Sequence, residues 1–255
     1  MRDPLADWIV PEWPAPPRIK ALMTTRHGGV STGVWGGAHG GGMNLGLGSG
    51  DDLDVVARNR ALLAEALPSQ PAWLRQVHGA RVVDAASASA LTEADASFTA
   101  SAGVVCAILV ADCMPVLFTD REGSRVAAAH AGWRGLAGGV LEATLAASGL
   151  DPARTLAWIG PAIGPTRFEV GDDVREAFRS VDGADVAAVD GCFRPHAPGK
   201  WLADLPALAR MRLASCRVDT VVASGLCTAT DDQRFYSYRR DGITGRMAAL
   251  IWIDQ

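Results

Sequence analysis

The segment from Gly103 to Phe118 constrains this chain more than any other. Val104 through Ala111 is apolar at every position, and only Asp112, Cys113 and Pro115 interrupt the run before Phe118. Apolar residues without polar alternation read as a buried strand, and the run is far short of the roughly 20 residues a membrane-spanning helix needs. Further strands are predicted at 125–130, 156–159, 218–223 and 247–253, and another at 73–84 carrying Gln76, Val77 and His78. Helices are predicted at 51–67, where acids fill the start and Pro68 closes it, and from 133 to about 148 in small residues. Two more are predicted at 173–179 and at 206–213, the latter opened by Pro206 in its first turn. The alternation is irregular, not a clean βαβ series. It predicts an α/β (α+β) fold, a single domain over 1–255 with a mixed sheet and helices packed on its faces, residues 1–18 forming an N-terminal extension. Apolar residues at 49% and charged residues at 20% supply the core such a fold needs and argue against disorder.

Residues 28–50 contain eleven glycines in twenty-three positions. A spacer of that composition would be flexible, but Val30, Val34, Trp35, Met43, Asn44 and Leu45 supply too many packing groups for one. The segment reads as an ordered functional loop, with Gly36 to Gly42 as its most mobile part. In the 51–67 helix, Arg60 shares a stripe with Val56, Leu63 and Leu67. A guanidinium on an apolar face either pairs with a core acid or binds a ligand, and the sequence leaves both open.

The chain has five histidines and five cysteines. The odd, scattered cysteines read as free thiols of a reducing compartment. Met1 to Trp13 has no apolar signal-peptide core, so cytoplasm is expected. A net charge of -4 predicts no general attraction to nucleic acid or to a membrane surface. His78, His130 and Cys113 each fall where a predicted core strand gives way to a turn, a place where sites in open sheets collect. Two imidazoles and a thiolate are a legitimate catalytic zinc set with a fourth position open. Their spacings of 35 and 17 residues match no zinc-finger pattern. The same residues also permit a thiol nucleophile, Cys113, with His130 as its base. Next to them, Gly132-Trp133-Arg134-Gly135 lies between a strand and a helix start, an anion site if Arg134 and the free N–H groups converge, a tight turn with a solvated arginine if not. Phe235 to Gly242 holds both tyrosines, which could stack on a base or could simply belong to a hairpin.

Taken in order, Thr24-Thr25-Arg26-His27-Gly28-Gly29, Met43-Asn44-Leu45-Gly46, Asn59-Arg60 and Gln76-Val77-His78-Gly79 form a joint pattern. Ala111-Asp112-Cys113-Met114-Pro115, His130-Ala131-Gly132-Trp133-Arg134-Gly135, Ile159-Gly160-Pro161 and the 235–246 segment complete it. The pattern resembles the YfiH-like family, labelled laccase-domain or polyphenol oxidase proteins, from about Ile19 to Ile253. The resemblance implies a fold related to cysteine-hydrolase-like toxins and zinc held by His78, Cys113 and His130. It implies phosphorolysis of adenosine, inosine and methylthioadenosine, with adenosine deamination alongside, so the expected partners are purine nucleosides and phosphate; a monomer is expected. On this reading Asn44, Gln76, Arg60 and Arg134 bind substrate and phosphate. Cys113 and His130 also count as catalytic, and Asp112 is the proton carrier. The sequence departs from the family in its longer insert at Gly36 to Gly42, and His27, His39, Cys192 and Cys216 belong to no motif.

A four-copper oxidase needs about ten imidazoles, so five histidines exclude that centre, while copper substituted into the same site would leave weak phenol oxidation. The rival classes are a thiol amidase using Cys113 and His130, a copper-dependent polyphenol oxidase and a non-catalytic nucleotide-binding module.

Overall fold

The computed structural model describes residues 7–37 and 40–254. Strands β1 (Ile19–Met23) and β2 (His27–Ser31) precede helix α1 (Leu53–Ala64), followed by β3 (Val82–Asp84), β4 (Ala96–Thr99) and β5 (Cys106–Val110). Next come β6 (Met114–Asp120), β7 (Val126–Ala131), α2 (Trp133–Ala137), α3 (Val140–Ser148) and β8 (Thr155–Ile159). The chain continues through β9 (Glu169–Gly171), α4 (Asp172–Arg179), α5 (Val186–Gly191), β10 (Phe193–Ala197) and β11 (Lys200–Ala203). It ends with α6 (Leu205–Ser215), β12 (Thr220–Ala223), α7 (Tyr238–Asp241) and β13 (Met247–Ile253). No helix among the described residues is long and apolar enough to cross a membrane.

A mixed sheet runs β12-β8-β6-β7-β4-β3, with parallel pairs at its two edges and antiparallel pairs between. A smaller antiparallel sheet runs β1-β13-β5, and β9, β10 and β11 form a third. Side-chain parity stacks the first two. Met114, Val116 and Phe118 of β6 join Ala127 and Ala129 of β7 in a core shared with Leu136, Val140, Leu141, Leu145 and Leu208 of the helices. The alternate residues Leu117, Val126, Ala128 and Trp158 turn the other way and meet Ile108, Val110, Met247, Ala249 and Ile251 of the smaller sheet. That sheet's outer face, through Ala107, Ala248 and Leu250, packs on Leu63 of α1 with Trp8, Met43 and Leu45. The result is a helix–sheet–sheet–helix stack, with period-2 strands supplying a different core on each face.

Several expectations change. The run from Gly103 to Phe118 is two strands in different sheets. Asp112 sits at φ 91, turning the chain from β5 into β6, and its carboxylate accepts from the Thr228 hydroxyl (2.6 Å) and the Arg239 N–H (2.6 Å). The strand expected at 73–84 survives only as β3. His78 is left-handed at φ 61, and the N–H groups of Val77, His78 and Gly79 donate to Asp95 rather than to a ladder. The helix expected from 133 to 148 breaks into α2 and α3 at Gly138-Gly139, where Gly139 takes φ 87. The segment expected as a hairpin at 235–242 contains the single turn α7, capped by the Ser237 hydroxyl.

The glycine-rich loop is ordered by close backbone approach. A Cβ at Gly41 would overlap the Gly29 carbonyl, and one at Gly42 the Trp35 carbonyl. The fully buried Asn59 accepts from Val30 N–H (2.8 Å) and donates to Gly42 and Asn44 carbonyls. Arg26 donates to the Gly36 carbonyl (2.8 Å), and the Tyr236 hydroxyl to that of Trp35. His39, within the loop's expected mobile part, lies outside the described residues.

Candidate metal centre and cleft

His130 shares the parity of Val126 and Ala128 and so points into the seam between the six-stranded sheet and the β1-β13-β5 sheet, where it is 3% exposed. Cys113 enters that seam because Asp112 turns the chain just before it. His78 arrives from the opposite side, on the loop held by Asp95. The ligand atoms of His78, Cys113 and His130 all lie within 4.8 Å of one another, with Cys113 Sγ 3.7 Å from His78 Nε2. Tetrahedral zinc with ordinary Zn–N and Zn–S lengths separates neighbouring ligand atoms by about 3.3–3.6 Å; the Cys113–His78 pair is already near that spacing, and the donor set suits such an ion once the wider separations close by about an ångström.

Sequence reasoning missed Asp95. It is fully buried, and its Oδ1 takes the His130 Nδ1 proton at 2.8 Å, which leaves His130 Nε2 for the centre. The same carboxylate accepts from the N–H groups of His78 (2.9 Å), Val77 (3.1 Å) and Gly79 (2.7 Å). One residue thus fixes the tautomer of one ligand and the backbone of another. Burial pushes the Asp95 carboxyl up, but the bonds from His130 and the backbone outweigh it and hold the group below its usual range. Burial likewise disfavours charge on Cys113 and His130. The hydrogen bonds and opposite charges within the cluster win, bringing the thiol down to about 6 and the imidazole up to about 9. Nothing in the sequence separated Asp95 from Glu93 two residues earlier, because the strand it precedes, β4, is only four residues long.

Close approach matters around these ligands. A Cβ at Gly132 would lie 2.9 Å from Cys113 Sγ and 3.1 Å from the His78 ring. At Gly135 it would lie 2.9 Å from the Gly79 carbonyl, so the α2 turn can seat against the His78 loop only with glycine there.

The centre opens into a cleft of about 630 Å³, inside the range of small-molecule sites. Its lining includes Leu47, Arg60, Trp73, Gln76, Tyr238 and Arg246. Arg60 is the guanidinium expected there. It lies 4.2 Å over the Trp73 ring, donates twice to the Leu45 carbonyl, and burial alone lowers it to about 10. Gln76 reaches the wall, but its amide is committed to the Leu109 backbone through two bonds of 2.8 Å. Asn44 is wholly buried behind the wall, donating to Ser49 and Asp51 and accepting from Gly46 and Arg246 N–H groups. Arg134 is exposed on α2 with its guanidinium 4.3 Å over Trp133, and it is not part of the lining. Asp112 is also outside the lining, with both carboxylate oxygens engaged.

The family model described as multi-copper polyphenol oxidoreductase laccase matches residues 20–254. A purine nucleoside phosphorylase of Pseudomonas aeruginosa is 50% identical over 248 residues, 97% of this chain and 98% of that protein. Purine nucleoside phosphorylase YfiH of Escherichia coli is 49% identical over 96% of this chain and 98% of its own. In structure, a Neisseria meningitidis protein described as DUF152 matches with a TM-score of 0.90 at 47% identity, covering 98% of this chain and 100% of that one. YlmD of Geobacillus stearothermophilus matches with a TM-score of 0.81 at 33% identity over 94% of each.

Proposed function

The chain belongs to the family described as multi-copper polyphenol oxidoreductase laccase, and from that membership we propose that it is a zinc-dependent purine nucleoside phosphorylase. The observation carrying this reading is the convergence of His78, Cys113 and His130 at the mouth of a cleft that also holds Arg60, a guanidinium with no acid partner among the described residues. The family description does not extend to a multi-copper centre here. Among the described residues this trio is the one group of ligands within reach of a shared ion, and five histidines are too few for a copper cluster.

Zinc at this point would supply Lewis acidity beside the cleft. The chain's own residues do the rest. Asp95 keeps the proton on His130 Nδ1, so that Nε2 is the nitrogen a metal would take in exchange for its proton. Arg60, fixed by Leu45 and Trp73, offers positive charge to a phosphate. Tyr238, 61% exposed at the cleft, offers a ring face to the purine. Deamination of adenosine is proposed as an accompanying activity of the same centre.

A second reading, a thiol hydrolase, is favoured by the order Cys113–His130–Asp95, which has the connectivity of a nucleophile, base and orienting acid. His78 weighs against it, because a hydrolase of that type has no use for a second imidazole 3.7 Å from its sulfur. The deciding experiment incubates metal-quantified protein with inosine or adenosine, with and without phosphate. Free base and ribose 1-phosphate formed only with phosphate are expected. Base release indifferent to phosphate, or turnover surviving complete metal removal, would reject the proposal.

A further inference from the structure

Arg246 enters the cleft from the turn before β13 and lines it together with Gly46, Leu47, Gly48, Arg60 and Cys113. Its Nη1 donates to the carbonyls of Thr244 (2.9 Å) and Gly245 (3.1 Å), while Nε and Nη2 have no hydrogen-bond partner among the described residues. No carboxylate there forms an ion pair with Arg246 or with Arg60. Arg75, also in the lining, differs, since Glu93 neutralises it at 2.8 Å. Beside Arg246, the N–H groups of Leu47 and Gly48, residues that also line the cleft, have no hydrogen-bond partner among the described residues, and their turn closes through Ser49 N–H to the Gly46 carbonyl.

The sequence builds this arrangement deliberately tight. Asn44 Oδ1 accepts from both Gly46 N–H (3.1 Å) and Arg246 N–H (2.9 Å), and Leu45 N–H donates to the Arg246 carbonyl (3.0 Å), tying the turn to the arginine. A Cβ at residue 46 would stand 2.6 Å from Arg246 Cγ, so only glycine lets the arginine stem lie across the turn. Two uncompensated guanidiniums and two free N–H groups around one cavity call for a ligand with two negative charges and several acceptor oxygens.

We infer that Arg246, with Arg60 and the Gly46-Leu47-Gly48 turn, forms an oxyanion cradle that holds inorganic phosphate beside the metal centre. The inference rests on the phosphorylase reading for its purpose, though not for the chemistry of the cradle. Burial weakens the charged form of Arg246, and the nearby Cys113 and Asp112 partly restore it, which places the arginine within electrostatic reach of the centre.

The test is calorimetric titration of the metal-loaded protein with inorganic phosphate and, separately, with a nucleoside 5′-monophosphate. Arg246→Met and Gly46→Ala should each weaken phosphate binding at least tenfold, with Arg246→Lys between them and the wild type, because charge without the planar fork recovers part of the contact. Phosphate affinity unchanged within twofold in folded Arg246→Met or Gly46→Ala protein overturns the cradle. So does a wild-type protein that binds the monophosphate and ignores free phosphate. Arg246-dependent phosphate binding without phosphorolysis would uphold the cradle and remove the proposed activity.

Discussion

Replacing Asp95 with asparagine keeps the shape of the side chain and removes only its ability to accept at every position. The carboxylate serves four donors, Oδ1 taking His78 N–H and His130 Nδ1–H, and Oδ2 taking Val77 and Gly79 N–H. An amide has one oxygen, so whichever way it is placed, two of those donors face an NH₂ group. A fully buried unsatisfied donor costs about 1–3 kcal/mol and the three backbone donors here are only part-buried, so Asp95→Asn should destabilise the protein by roughly 1–3 kcal/mol in urea unfolding. Loss of a carboxylate behind a metal-binding imidazole typically weakens metal affinity about 10–100-fold, read by competition against a chromophoric chelator. The pH dependence has a definite sign. The folded carboxyl lies below its unfolded value of about 3.9, so its stabilisation is complete above that value and disappears as pH falls through the folded one. The gap between wild type and variant should therefore be full at neutral pH and close in acid. A stability loss below about 1 kcal/mol with unaltered metal competition would refute the role given to this residue.

Three further outcomes follow from the geometry. In metal-free protein, alkylation of Cys113 by iodoacetamide should be half-maximal near pH 6, as expected for a thiol held at about 6, and a midpoint above pH 8 would contradict the imidazole pairing. Cys192 and Cys216, whose thiols burial raises, should lag behind it, as mass spectrometry of the labelled peptides would show. Gln76→Ala should cost about 1–3 kcal/mol in chemical unfolding, since it strands both the N–H and the carbonyl of Leu109. Arg60→Ala should raise the KM for phosphate at least tenfold while Arg134→Ala changes it less than twofold, and equal effects would reinstate the exposed arginine.

Strands and helices with a clear period were legible in the sequence. The limits of α1, α4, α6, β7, β8 and β13 fall within a few residues of those expected. What misled was conformation fixed by distant partners. Nothing local to 73–84 says that three consecutive N–H groups will be spent on Asp95, and nothing in Asp112 announces the turn that carries the chain from one sheet to the other. The trio His78, Cys113 and His130 was legible as three reactive residues at strand ends and converges in the structure. The arginines show the opposite case. Arg134 looked placed for an anion because it lies between two glycines at a helix start, yet its helix faces it outward. Arg246 gave no signal of its own, because its position depends on Asn44 and Gly46, two hundred residues earlier in the chain.

The left-handed backbone at His78 and Asp112 has a bearing on which metals this protein can choose between. Both conformations are already braced by protein groups, by Asp95 on one side and by Thr228 and Arg239 on the other. An ion therefore meets a rigid socket whose ordering cost was met during folding. A copper(II) ion, which favours flatter geometry, would have to pull against that braced main chain, so any choice between metals at this site would involve the backbone as well as the softness of the donors.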